Sequence, residues 1–175
     1  MSATGLYAVT VIGNDRSGIV AGVTKALYDT GCNLEDATST ILRGHFSMML
    51  IVSSDADAGR LRSALTDVAG DLGVTITVAP VEEAALEVDA PTHMVSVYGA
   101  DHPGIVFRIS QALADAGANV TDMTSRIIGS SDEPVYALML EVAAAADADL
   151  EEKLAGIASE IGVDVSVHPI EADIL

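Results

Sequence analysis

Alternating and helical hydrophobic patterns follow one another through the first half of the chain. Apolar and polar side chains alternate over residues 6–13, which is typical of a half-buried strand. Ile19, Val23 and Leu27 recur at helical spacing, and Gly31 closes that segment. Arg43-Gly44 separates two strand-like runs and predicts a hairpin. The first half is therefore predicted to form strands at residues 6–13, 33–42, 45–53 and 74–81 and helices at 19–30 and 57–72.

The second half repeats the first at an offset of 86 residues. Gly13 to Val20 and Gly99 to Val106 are identical at five of eight positions. The offset later becomes 90, because the second copy carries residues 130–133 as extra loop, and it ends at 89. Insertions between elements are expected when loops tolerate length changes better than cores. The repeat predicts strands at 93–99, 119–128, 135–142 and 163–170 and helices at 103–116 and 147–161.

This element order predicts an α+β protein with two tandem ferredoxin-like βαββαβ domains. In such a split-βαβ sandwich, two helices cover one face of a four-stranded antiparallel sheet, and the other face is left to solvent or a partner. We expect the first domain at residues 1–83, an acidic, alanine-rich linker at 84–91, and the second domain at 92–175. Pro103 is expected in the first turn of its helix, where its missing N–H costs nothing.

Composition excludes several classes of function. The formal net charge is −18, with 26 acidic residues against 8 lysines and arginines, and the chain has no tryptophan. Direct nucleic-acid binding needs clustered cations and stacking platforms, so we expect none. We also expect no membrane span, no cofactor and no thiolate metal site, because apolar runs are short and Cys32 is alone. A cytoplasmic location fits the absence of a secretory signal pattern at the first residues and the single cysteine.

Both copies share a glycine-rich motif at the first strand-to-helix turn and a second motif before the next strand. The first reads Gly-x-Asp-x-x-Gly-Ile-Val, and the second reads Gly-x-Asn-x-x-Asp. These motifs resemble the ACT domain, most clearly in the second copy, where Asp101-His102-Pro103-Gly104 matches the first loop. The first copy departs at Ser17, where proline is common. Tandem ACT proteins of this length are most similar to the family of the glycine cleavage system transcriptional repressor.

The resemblance implies a small-ligand site at an interface between two ACT domains. The first loop would come from one domain and second-strand residues from its neighbour. A helix N-terminus accepts an α-carboxylate, aspartate accepts hydrogen bonds from an α-ammonium, and asparagine serves either group. An amino acid is therefore the expected ligand. The candidate ligand-binding residues are Asp15, Ser17, Gly18, Ile19, Asn33, Leu34, Asp101, His102, Gly104, Ile105, Asn119 and Val120.

Each polar candidate also has a purely structural explanation. Asp15 and Asp101 can cap the following helices, and Asn33 and Asn119 can be turn residues after a glycine cap. The histidines lack metal-ligand spacing, and His102 is the one that lies in the ligand loop. No nucleophile elbow or oriented base is evident, so catalysis is not expected.

Three classes of function follow from these observations. The leading hypothesis is an amino-acid-sensing regulatory protein that forms homo-oligomers and modulates a partner protein, such as a transcriptional regulator. An acidic protein can pair with a basic regulator, which agrees with this hypothesis. The alternatives are a constitutive interaction or dimerisation scaffold without ligand and, third, an uncharacterised enzyme.

Overall fold

The computed structural model describes residues 4–82 and 89–170, and the chain forms two compact units. The first unit contains β1 (Gly5–Asn14), α1 (Ile19–Asp29), β2 (Asn33–Leu42), β3 (His45–Ser54), α2 (Ala58–Leu72) and β4 (Val74–Val81). The second contains β5 (His93–Gly99), α3 (Ile105–Asp115), β6 (Asn119–Gly129), β7 (Pro134–Ala143), α4 (Leu150–Ile161) and β8 (Val163–Pro169). Every predicted element is present. Of the predicted linker 84–91, residues 84–88 lie outside the described part of the chain.

Each unit has one four-stranded antiparallel sheet. The strand order is β2-β3-β1-β4 in the first unit and β6-β7-β5-β8 in the second. The two central strands of each sheet are joined to different neighbours through a helix, as the split-βαβ topology requires. The predicted α+β, ferredoxin-like fold is therefore confirmed for both copies.

The alternation in β1 and β5 determines which face of each sheet is covered. Val9 and Val11 of β1 and Val95 and Val97 of β5 are fully buried beneath the helices. Their neighbours on the central strands and on the inward stripes of the helices complete two separate apolar cores. The largest fully buried side chains are Ile19, Leu50, Leu61, Leu65, Ile109, Leu113, Leu138, Leu140 and Leu154.

The opposite face of each sheet carries exposed apolar side chains at some positions. Ile12 and Met49 lie on this face in the first unit, and Tyr98 and Met139 lie on it in the second. All ten residues of β2, the strand at the sheet edge, are exposed. Each unit therefore has one packed sheet face and one open sheet face.

The hairpin between β2 and β3 has the two-residue turn that the sequence predicts. Arg43 and Gly44 have φ values of 49° and 81°, which are the left-handed conformations of a type I′ turn. Arg43 is the one described non-glycine residue with positive φ. The right-handed twist of the paired strands favours this turn type and so outweighs the cost at arginine.

Two helices of the second unit begin later than the sequence predicts. α3 begins at Ile105 rather than Pro103, because Gly104 adopts φ 100° at the N-cap and places Pro103 before the helix. α4 begins at Leu150 rather than Asp147, because the Asp149 side chain accepts a hydrogen bond from the Glu152 N–H and so forms the cap. The expectation that Pro103 occupies the first helical turn is therefore wrong.

Within residues 4–82 and 89–170, no helix combines the length and the apolar character that crossing a bilayer requires.

We predict that Leu65→Ala and Leu154→Ala each lower the free energy of unfolding by about 2–5 kcal/mol. These leucines are equivalent in the repeat and almost fully buried, so each truncation leaves a cavity in one core. Tyr28→Ala, at a side chain that is 80% exposed, is the control and should change stability by less than about 0.5 kcal/mol. Urea denaturation would measure both effects, and a neutral result for either leucine would contradict the proposed cores.

Candidate functional site

The loop after the first strand leads into a helix through a glycine in both copies. Gly18 and Gly104 are the N-cap residues, with φ values of 97° and 100° that strongly favour glycine. Neither cap position has a side-chain hydrogen bond, and both glycines are exposed. A Cβ added at either position would meet nothing within 4 Å. Glycine is therefore required here by backbone conformation, and the space above it is open.

Open backbone donors lie at the start of α1 and α3. The first intrahelical hydrogen bonds run from the Gly22 N–H to the Gly18 carbonyl and from the Arg108 N–H to the Gly104 carbonyl, each at 2.9 Å. The preceding N–H groups, beginning at Ile19 and Ile105, have no intrahelical acceptor. Together with the helix dipole they make a site that favours an anion.

Asp15 and Asp101 stand three residues before these N-cap glycines in the sequence, and both are exposed. The Asp15 N–H donates to the Gly44 carbonyl at 2.8 Å, which ties the loop to the β2–β3 turn. Neither carboxylate accepts a hydrogen bond from its helix, so the capping role considered above is not observed. Both carboxylates are therefore free of the helix that follows them and are accessible to solvent.

Asn33 and Leu34 begin β2 at a β-bulge. The register between β2 and β3 shifts between Leu34 and Asp36, which leaves Glu35 as the extra residue. The Glu35 carboxylate accepts hydrogen bonds from the Ser53 hydroxyl and, at 2.8 Å, from the Asn33 amide. These two hydrogen bonds, of which the Ser53 bond has the larger effect, hold the pKa of Glu35 below its usual 4.5. The first copy thus places a stable negative charge next to Asn33.

The second copy has the same bulge but a neutral neighbour. The register of β6 shifts between Val120 and Asp122, and Thr121 takes the place of Glu35. The Thr121 hydroxyl donates to the Glu141 carbonyl at 3.2 Å. Asn119 itself lines a cavity of about 360 Å³ together with Gly117, Thr92 and the alanines at 143–145. Glu35 and Ser53 were not predicted, because no equivalent pair exists in the second copy.

Within one copy, the loop residues and the second-strand residues lie at opposite ends of the sheet. Asn14, at the end of β1, pairs with His45 beside the hairpin, whereas Leu6 pairs with Ser53, the partner of Asn33. The eight residue-to-residue steps from Leu6 to Asn14 correspond to roughly 26 Å. In the second copy, Gly99 and His93 mark the two ends of β5, a separation of roughly 20 Å. No copy brings its own two sets of candidates together.

His102 and Arg16 occupy equivalent positions in the two loops and make equivalent contacts. His102 Nε2 lies 2.9 Å from the Ile161 carbonyl at the end of α4. Arg16 Nη1 donates to the Leu72 carbonyl at the end of α2, at 3.4 Å. Nitrogen donors at a helix C-terminus satisfy carbonyls that have no intrahelical partner. This structural role accounts for both side chains without a ligand.

The described residues contain no group of histidine, cysteine or acidic side chains arranged to hold a metal ion.

Comparison with known proteins identifies both units. The ACT domain family matches residues 7–79 and, separately, residues 93–158. The chain therefore belongs to the ACT domain family. It is homologous to the glycine cleavage system transcriptional repressor of Escherichia coli strain K12, with 24% identity over 177 residues that cover 97% of this chain and 93% of the relative.

Two further relatives support the assignment. A UPF0237 protein of Methanopyrus kandleri is 42% identical over 73 residues, which cover 40% of this chain and 81% of that protein. The crystal structure of an unknown protein from Galdieria sulphuraria superimposes with a TM-score of 0.81 and 26% identity, covering 97% of this chain and all of that one. A solved structure therefore matches this chain over nearly its whole length.

We predict that Ser53→Ala raises the pKa of the Glu35 carboxyl toward 4.5, because it removes the larger of the two hydrogen bonds that lower it. A lowered pKa contributes stability that is present above 4.5 and is lost as the pH falls through the lowered value. The Glu35→Gln variant should therefore lose this part of the acid sensitivity. Carboxyl NMR titration measures the first effect, and an unchanged Glu35 pKa in Ser53→Ala would contradict the network.

Proposed function

We propose that this protein is a cytoplasmic amino-acid sensor without catalytic activity, which binds a small ligand through its ACT domains and modulates a regulatory partner. Membership of the ACT family and homology to a protein named as a transcriptional repressor support this function. The acidic surface, with a net charge of −18, favours a basic protein partner over nucleic acid.

The observation that carries the proposal is the repeated loop with its open helix start. Each copy presents N–H groups without an intrahelical acceptor and, three residues before the N-cap glycine, an exposed aspartate that does not cap the helix. The N–H groups suit an α-carboxylate, and Asp15 or Asp101 suits an α-ammonium. A zwitterionic amino acid would satisfy both halves of this arrangement. Gly18 and Gly104 let it approach the backbone closely.

The second-strand residues complete the proposed site from another ACT domain. Asn33 with Leu34, and Asn119 with Val120, lie too far from the loop of their own copy to touch the same small ligand. Combining the loop of one domain with the strand of another removes this difficulty and makes ligand binding depend on domain pairing. We infer homo-oligomers on this basis. A ligand that binds one packing of the domains more tightly would shift the equilibrium toward it and so change partner affinity.

A dimerisation scaffold without ligand is the second candidate. The exposed apolar side chains Ile12, Met49 and Met139 on the open sheet faces favour this function, because such positions are commonly covered by a partner. The scaffold predicts no response to amino acids, whereas the sensor predicts a selective one.

We predict that one or a few amino acids at about 100 times their dissociation constant stabilise the protein by about 2.7 kcal/mol. Asp101→Asn and Asn119→Ala should each weaken binding by about tenfold or more, since the first removes the negative charge that would pair with the α-ammonium and the second removes an amide partner of the ligand. Thermal shift followed by calorimetry measures both effects.

Asp132→Asn is the matched control for this experiment, because it removes the same charge from an exposed loop of the same unit. It should bind as the unchanged protein does. Failure of every amino acid to stabilise the protein would exclude the sensor and leave the scaffold.

A further inference from the structure

The two helices of the first unit enclose a groove whose lining differs from that of the equivalent helices in the second unit. The groove has a volume of about 450 Å³ and lies between α1 and α2, on the side away from the sheet. Ala26, Val68 and Leu72 form its apolar floor and also pack against the core. Gly22 opens one side, since a Cβ there would lie 3.0 Å from Leu72 Cδ1. The small residue therefore keeps the groove clear above Leu72.

Acidic side chains form the rim of this groove. Asp67 and Asp71 on α2 are exposed and make no ion pair within the described residues. Asp29 on α1 pairs with Lys25, one turn earlier on the same helix. One of the three rim carboxylates is therefore paired with a lysine, and the other two have no cationic partner within the described residues. An apolar floor beneath two such carboxylates is complementary to a side chain with an aliphatic stem and a cationic head.

The second unit supplies such a side chain from its own sequence. At the repeat offset of 86, Arg108 stands where the first unit has Gly22, and at the offset of 89, Glu160 corresponds to Asp71. Arg108 on α3 pairs with Glu160 on α4 and so bridges the two helices. Lys153 and Gly156 replace Ala64 and Asp67. One copy therefore fills this position with arginine, and the other leaves it open and more acidic.

We propose that the α1–α2 groove of the first unit is a docking surface for an arginine-bearing amphipathic helix of a basic partner protein. The guanidinium would pair with Asp71 and Asp67 as Arg108 pairs with Glu160, and apolar side chains of the helix would cover Ala26, Val68 and Leu72. A second copy of this chain is a poorer occupant than a basic protein, because the chain has only 8 lysines and arginines against 26 acidic residues to offer to an acidic rim. The groove shares no residue with the candidate amino-acid site, although Arg16 of the first loop donates to the Leu72 carbonyl at one end of the groove. The peptide test and the amino-acid test use different probes and different variants, so failure of one proposal can be told from failure of the other.

The test uses the full chain and a synthetic probe. The probe is a helical peptide of about 15 residues with a leucine stripe flanked by arginines. A matched peptide has citrulline at the arginine positions, which keeps the shape and removes the charge. Amide NMR spectra should show the arginine peptide shifting resonances of α1 and α2, and the citrulline peptide should bind at least about tenfold more weakly.

Variants of the chain test whether the rim aspartates bind the peptide. The double variant Asp67→Asn and Asp71→Asn should lower the affinity for the arginine peptide by about tenfold, because it removes both unpaired rim charges. The charge-matched control, Asp132→Asn with Glu133→Gln, lies in the exposed loop of the second unit and should leave affinity unchanged. Gly22→Arg should also block the peptide, since it introduces the arginine that the second unit carries.

Four outcomes would overturn the proposal. They are no peptide binding, equal binding of the citrulline peptide, equal weakening by the rim variant and the control, and resonance shifts outside α1 and α2. Sedimentation provides a further check on the occupant. A dimer of the unchanged chain that Gly22→Arg converts to monomer would show that a second copy, rather than a basic partner, occupies the groove.

Discussion

Burial of a single face of each four-stranded sheet is the constraint on which the rest of the structure depends. Val9 and Val11, with their counterparts Val95 and Val97, must face the helices, because alternate residues of a strand point to opposite sides. The first helix of each copy therefore runs along the covered face of the sheet. It begins at the sheet end where the first strand finishes, and it ends at the opposite end, where the second strand begins. This path places the helix start and the second-strand start at opposite ends of every copy. A site that uses both must draw on two domains.

The duplication preserves this architecture while the surfaces of the two copies have diverged. Glu35 gives the first copy a charged bulge, where Thr121 keeps the second one neutral. Gly22 leaves a groove between the first pair of helices, where Arg108 bridges the second pair. Core positions such as Leu65 and Leu154 remain the same, because a change there costs stability in either unit. The two domains thus share a fold and the Gly-x-Asp-x-x-Gly loop, and they differ in the side chains on the surface around it.

Most of the fold could be predicted from periodicity and from the repeat. Each strand and helix pattern occurs in both copies, which supports its assignment twice. The Arg43-Gly44 turn could be predicted because only two residues separate the two strand-like runs. The helix starts were less predictable, since Pro103 fits a first helical turn equally well and Gly104 is what places it outside. The helix start depends on the left-handed backbone of Gly104 at the N-cap, and hydrophobic periodicity carries no signal for that conformation.

The sequence was sufficient to name candidate site residues, but it did not predict their contacts or the distances between them. The shared motifs identified Asp101 and Asn119, whereas the roles of Glu35 and His102 depend on contacts with residues 18 and 59 positions away. Such contacts leave no periodic signal. The separation of loop and strand within one copy follows from sheet register, which the motif spacing does not contain.

The central claim is that one amino acid is held by the first loop of one ACT domain and the second strand of another. Amide NMR spectra of the full chain, recorded during titration with the most stabilising amino acid, test it most directly. Saturable shifts are expected at both places at once, at Ile105 and Val106 at the start of α3 and at Asn119 and Val120 at the start of β6, or at their first-copy equivalents. Shifts confined to one of these places, or to neither, would contradict it.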